Sequence, residues 1–183
     1  VPRVVDAVGD TPVVAAGGIA DGRGIAAVLA LGATGAWLGT RFLATREAAV
    51  HERYKERVVE ATEAETVYTE LFDVGWSDAP HRVLRNDTIE RWEAAGRPPP
   101  GERPGEDEIV AESPDGQPVK RYSVSTPGPE TSGDVEAMAL YAGQSVGLAG
   151  TLLPAAEVVD ELVAETIEAI RGLVATIEAV PEG

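Results

Sequence analysis

The 183-residue chain has no cysteine, a single methionine and only two histidines, His51 and His81. Without cysteine there is no disulfide, no thiolate nucleophile and no cysteine-type zinc site, and two histidines are too few for a histidine-rich metal centre. No metal ligand is therefore assigned. No apolar run reaches the roughly 18 residues of a membrane span, and no charged-then-apolar leader is present. The expected setting is cytoplasmic, away from membranes.

Lysine is almost as scarce: of 15 basic residues only Lys55 and Lys120 are lysine, against 31 acidic residues and a net charge of −16. Such a field repels nucleic acid and anionic membrane surfaces alike. Acidic excess with arginine in place of lysine is the composition expected of a halophilic protein, whose self-repulsion is screened by concentrated salt; an acidic interaction surface is the other reading. With 44% hydrophobic residues the chain can bury a core.

The sequence opens on a helix end and then a short apolar run, Thr11 to Ala16, that reads as a buried parallel strand closed by Gly17 and Gly18. Asp21 stands at an N-cap position, and the spacing predicts a helix over 24–31. A second strand follows in Gly35–Thr40, and then a strongly helical stretch over 45–65. Strand, helix, strand, helix with so short a crossover is the repeat of a parallel α/β fold. Two units cannot close a (β/α)8 barrel, which takes about 250 residues. The expected fold class is α/β, the C-terminal portion of a TIM-type barrel comprising its last two strand-helix units, with an irregular insertion and C-terminal helices. The expected divisions are 1–72 for the barrel end, 73–134 for an irregular, partly mobile excursion rich in Pro, Gly and charge with one short strand near 119–125, and 135–183 for helices packing on the barrel. Pro154 stands near the first turn of the last of these.

Glycine after a strand and before a helix lets backbone N–H groups approach a phosphate without an intervening Cβ. Gly17–Gly18 and Gly39–Thr40 both occupy such positions, and adjacent turns of this kind can converge on one anion. The alternative is that they are tight-turn glycines. The stretch "PVVAAGGIADGRGIAAVLALGATGAWLGTRFLAT" resembles the last two barrel strands of the nitronate monooxygenases, FMN-dependent barrel enzymes, and the likeness continues through "ERYKERVVEA" and "LYAGQSVGL".

The resemblance implies FMN as cofactor, a small nitronate and O2 as substrates, and oxidation to a carbonyl compound and nitrite. It places the FMN phosphate region on Gly18, Trp37, Leu38, Gly39 and Thr40, with Gly17 sharing that role, and sets Tyr141 and Gln144, one turn apart on a "YAGQ" helix, toward flavin or substrate. A core tyrosine satisfied by the glutamine is the other reading of that pair. The family's N-terminal barrel segment carries its first flavin-binding strands and its catalytic histidine, which have no counterpart in this sequence. No catalytic residue is assigned: His51 is expected on a solvated helix face and His81 in a surface loop. Arg41 is expected in an outward ion pair with an acid such as Glu47, and the Trp37 ring packed on neighbouring elements. A flavin-type enoyl-acyl carrier protein reductase and a non-catalytic FMN-binding module are the competing functions.

The charge composition makes one expectation measurable. The melting temperature of the chain rises between dilute buffer and molar KCl; a flat or falling melting temperature in differential scanning fluorimetry would remove the halophilic reading.

Overall fold

The computed structural model of the chain describes residues 1–179. Helix α1 (Pro2–Val8) leads into β1 (Val14–Ala16), α2 (Gly22–Ala30) and β2 (Gly35–Trp37). The strands pair in parallel, Val14 with Gly35, Ala15 with Ala36 and Ala16 with Trp37. Between them Asp21 caps α2 as its position predicts, its Oδ1 accepting from the Gly24 N–H at 2.9 Å. Helix α2 lays Ile25 and Val28 against Ala15, Ile19 and Ala33, which fixes the crossover over one face of the pair.

The helix expected over 45–65 is broken. After a four-residue α3 (Thr40–Leu43), helix α4 spans only Glu52–Glu60, and a capping box at Thr62 and Glu65 ends the segment in a 3-10 turn. Tyr54 and Val58 of α4 enter a core with Leu84, Leu140 and Val146. Lys55 is buried as well, its ammonium donating to the Arg46 carbonyl at 3.0 Å and pairing with Glu52 at 2.9 Å.

Residues 73–134 hold more regular structure between their long turns than an irregular excursion implies, and the short strand expected near 119–125 lies over Pro118–Lys120. Strand β3 (Thr66–Thr69) pairs antiparallel with β4 (His81–Leu84), and α5 (Asp87–Ala94) follows, capped by Asn86. A second small sheet has the order β6 (Pro118–Lys120), β5 (Ile109–Glu112), β7 (Ser132–Gly133). Two buried arginines tie these pieces together. Arg121, 1% exposed, donates to Asp87, Thr88 and Glu108 at 2.8–3.1 Å; Arg103 bonds Asp73 and Glu106 and lies 4.4 Å over the Tyr122 ring. The guanidiniums are buried while their carboxylate partners keep part of their surface in solvent, so part of the charge of this segment holds its pieces together.

A second correction concerns the expected helices of 135–183. Residues 135–148 form no α-helix: two 3-10 turns, Val135–Ala137 and Gln144–Leu148, flank an extended stretch. There Leu84 donates its N–H to the Leu140 carbonyl at 2.8 Å and Ala142 donates to the Arg82 carbonyl at 3.1 Å, so the stretch lies antiparallel beside β4, bridged at Val83 and Tyr141. Its apolar residues satisfy both a helical and an extended spacing, and tertiary pairing decides between them.

Helix α6 (Ala155–Glu178) begins after Pro154, as the proline predicts; residues 180–183, the end of the expected 135–183 division, lie outside the described residues. Val158 and Leu162 are buried, whereas Ile167, Ile170, Leu173, Val174 and Ile177 on the same helix are exposed. The helix crosses α2 so closely that a Cβ at Gly22 would lie 2.3 Å from Glu165 Cβ, and the Glu165 carboxylate accepts the Gly22 N–H at 2.8 Å. That carboxylate also sits at the positive end of α2. Among the described residues no helix is long and apolar enough to cross a membrane.

The crossing makes two glycines of this chain opposite in behaviour. Gly22→Ala destabilises the fold by about 1–3 kcal/mol because the added methyl overlaps α6. Gly172→Ala, where a Cβ meets nothing within 4 Å, stabilises by about 0.5–1 kcal/mol through helix propensity. Chemical denaturation of the two variants beside the parent reads both signs.

Candidate functional site: two glycine turns on paired parallel strands

The three-residue register of β1 and β2 decides where the turns after them lie. Because Ala16 stands opposite Trp37, the Gly17–Gly18 turn and the Leu38–Gly39–Thr40 turn leave the same end of the pair side by side, one strand spacing or ~4.8 Å apart. Gly17 and Gly18 have φ of 94° and 72°, a region that glycine enters without strain. A Cβ added at Gly17, Gly18 or Gly39 would meet nothing within 4 Å. Neither Gly18 nor Gly39 donates its N–H to another group among the described residues. The open space and the free donors form a cradle of the size and polarity that suit a phosphate.

Thr40 links this end to the later part of the chain: its Oγ1 accepts the Gly143 N–H at 3.0 Å. The link brings Gln144, whose side chain is exposed, to the rim of the Gly39–Thr40 turn. Tyr141 is placed differently from the helical expectation. It pairs across β4 with Val83, its hydroxyl donates to the Val124 carbonyl at 3.1 Å, and its own carbonyl accepts from Tyr54 Oη at 2.5 Å. Burial raises the phenol of Tyr141 above its ordinary range, and Tyr54, more deeply buried beside it, is raised further. Gln144 is not its hydrogen-bond partner.

Other side chains depart from the sequence reading. The Trp37 ring is 71% exposed rather than packed. Arg41 is 5% exposed and turns inward, donating to the Thr151 carbonyl at 3.3 Å and hydroxyl at 3.4 Å, with Glu161 at 3.5 Å; Glu47 instead accepts the Ala155 N–H. Arg41 follows the turn directly, and its inward bonds anchor α3 to the residues before α6. His51 lies on no helix face: it is the N-cap of α4, with Nδ1 accepting the Arg53 N–H at 3.1 Å.

His81 is on β4, not in a surface loop, its ring 5.3 Å from Tyr141 edge-on and 6.0 Å from Phe72. Its Nδ1 lies 2.8 Å from the Ala79 carbonyl, an acceptor, so Nδ1 carries the proton. Nε2 is buried with no partner among the described residues. At the start of α2, burial raises the Asp21 carboxyl, but the Gly24 N–H and the Arg23 guanidinium outweigh it and hold the group below the usual range. The Thr40–Gly143 and Arg41–Thr151 links join residues more than a hundred positions apart, and no local pattern announces them.

A parallel strand pair joined by a capped crossover helix, with open glycine turns at one end, is an α/β architecture. The family is more specific. Residues 1–165 match the profile of the nitronate monooxygenases, and the chain belongs to that family of flavin-dependent oxidoreductases. It is 36% identical to a Mycobacterium tuberculosis protein named as a monooxygenase, over 94% of this chain and 44% of that protein. It is 48% identical to the nitronate monooxygenase npaC of Metarhizium robertsii over 43% of this chain and 24% of npaC. Among solved structures it superposes on FabK from Thermotoga maritima with a TM-score of 0.74 and 32% identity, covering 96% of this chain and 50% of FabK. The nitroalkane oxidase of Streptomyces ansochromogenes gives 0.62 and 33%, covering 94% and 44%. The chain thus spans half or less of the relatives it matches.

The Thr40–Gly143 bond can be removed without changing side-chain shape. Thr40→Val leaves the Gly143 N–H unpaired and costs about 1–3 kcal/mol of stability in urea denaturation, whereas Thr40→Ser keeps an acceptor and costs about 1 kcal/mol or less.

Proposed function

We propose that this chain forms the phosphate-binding end of an FMN-dependent nitronate monooxygenase, built as the last two strand-helix units of a (β/α)8 barrel. One observation carries the reading: two open glycine turns stand next to each other at one end of a parallel strand pair in a chain of this family. The names of npaC and of the nitroalkane oxidase support nitro compounds as the substrate class. In this reading the N–H groups of Gly17, Gly18, Gly39 and Thr40 hold the FMN phosphate, with Trp37 and Leu38 setting the strand end from which the second turn departs.

FMN supplies the electron chemistry by which an alkyl nitronate and O2 yield a carbonyl compound and nitrite. The chain's own residues bind and orient. The inward bonds of Arg41 hold α3 in place behind the turn, and the Thr40–Gly143 bond holds Gln144 at the rim, where its amide faces the substrate. Tyr141, its hydroxyl already committed to Val124, keeps that segment in position from behind. In this reading neither histidine of the chain serves as base: His51 caps α4 and the His81 Nδ1 is committed to the Ala79 carbonyl.

Gly39 offers the cleanest test, because its φ of −95° suits any residue and its Cβ direction is empty. In the complete enzyme, Gly39→Val leaves the fold intact and weakens FMN binding by about 1–3 kcal/mol, the scale of hydrogen bonds to a charged group. Gly18→Val does the same with added backbone strain, and His51→Ala retains FMN. Flavin absorbance after gel filtration reads the result, and nitrite release from propane-2-nitronate reads activity. Stoichiometric FMN in folded Gly39→Val would return these glycines to the role of turn residues, and turnover that needs NAD(P)H would favour the reductase.

A further inference from the structure

The two faces of the β1–β2 pair differ in what covers them. Side chains alternate across a strand and directly paired residues share a face, so Ala15 and Ala36 lie on one side and Val14, Ala16, Gly35 and Trp37 on the other. On the first side α2 closes the pair, and Ala36 and Leu38 join Ile25 and Val28 in the cluster around Ala15. The second side is open: Val14 is 55% exposed and Trp37 71%, with Ala16 exposed beside them. Trp37 is the one aromatic of that face, and it stands at the end from which both glycine turns leave. We propose that the Trp37 indole is the stacking surface for the isoalloxazine ring of FMN, an inference that rests on the phosphate reading of those turns.

The shape of the cofactor selects the face. FMN is a phosphate joined by a ribityl chain to a planar, uncharged ring system. A phosphate held at the turns therefore leaves the ring to run over one side of the strand pair or the other. The α2 side is filled by buried Ile19 and by the Asp21 cap, which starts the helix three residues after Gly18. The open side has room, and its four residues carry no charge, which suits a neutral ring that gains from leaving water.

The indole is free to take that role. Tyr68, Trp92 and Tyr122 each hold a guanidinium over the ring, at 5.7, 5.6 and 4.4 Å, and Trp92 commits its indole N–H to the Pro98 carbonyl. Among the described residues Trp37 has neither a guanidinium on its faces nor an acceptor for its N–H. A bare aromatic face accepts a planar heterocycle by stacking, without any hydrogen bond to fix the register.

The test uses the complete enzyme and the emission of its flavin, because an indole in contact with a flavin quenches it and a phenyl ring does not. Trp37→Phe keeps an aromatic ring and holds the Kd for FMN within about threefold of the parent, while the bound flavin becomes brighter. Trp37→Ala removes the surface and raises the Kd about five- to hundredfold, with the unfolding midpoint of the flavin-free protein unchanged from that of Trp37→Phe. Gly39→Val runs beside them, weakening FMN through its phosphate and leaving the bound flavin as dim as in the parent. Unchanged emission in Trp37→Phe overturns the inference, whether or not Trp37→Ala folds, and assigns the indole to packing against the strands that complete the barrel. A parent-like Kd in folded Trp37→Ala overturns it equally. In both cases weakened binding by Gly39→Val leaves the phosphate reading standing, whereas a parent-like Kd in Gly39→Val removes that reading and the inference with it.

Discussion

The pairing of three residues with three, Val14–Ala16 against Gly35–Trp37, is the constraint on which the functional end of the molecule depends. A parallel pair needs a crossover, and α2 supplies it in nine residues only because Asp21 starts the helix at once and Ala15, Ile19 and Ala33 give it a close bed. With that register fixed, the two turns have no freedom to separate. Moving one strand by a residue would invert its side chains and displace one glycine turn from the other. The tight crossing of α6 over Gly22 then holds α2 from outside, so the crossover is fixed on both faces.

Elsewhere the fold is stabilised by different means. The segment from β3 to β7 has small sheets and modest apolar clusters, and its pieces meet around Arg103 and Arg121. A buried guanidinium is costly unless its donors are satisfied, and each of these has several carboxylate, hydroxyl or carbonyl acceptors. Such a network fixes one arrangement of loops that hydrophobic contact alone would leave degenerate. It also engages some of the acidic residues, Asp73 and Asp87 among them, in ion pairs at the edge of the buried guanidiniums.

What could be read from the sequence follows from the range of the interactions involved. The β1–α2–β2 unit, the Asp21 cap and the Pro154 start of α6 rest on contacts within a few residues, and local pattern carries them. The glycine turns were legible as a pair because both follow apolar runs. Residues 73–134 were not, since proline, glycine and charge signal a loop unless the partner of each charge is known, and Arg121 finds Asp87 34 positions away. Spacing sets Tyr141 on a helix because it cannot tell a short apolar helix from an extended segment bridged to β4. Arg41 and Trp37 exchanged places, one turning inward and the other outward, for reasons set by Thr151 and by the open side of β2.

The burial of Lys55 has a practical consequence. Its ammonium is held by the Arg46 carbonyl and Glu52 beneath α4, while Lys120, the other lysine, leaves 48% of its side chain in solvent. Within this chain a lysine-directed reagent therefore has one exposed lysine side chain to find, Lys120 of β6. A fluorophore, a surface tether or a cross-linker aimed at the lysines of this chain would attach there, and attachment at Lys55 would report that α4 had opened.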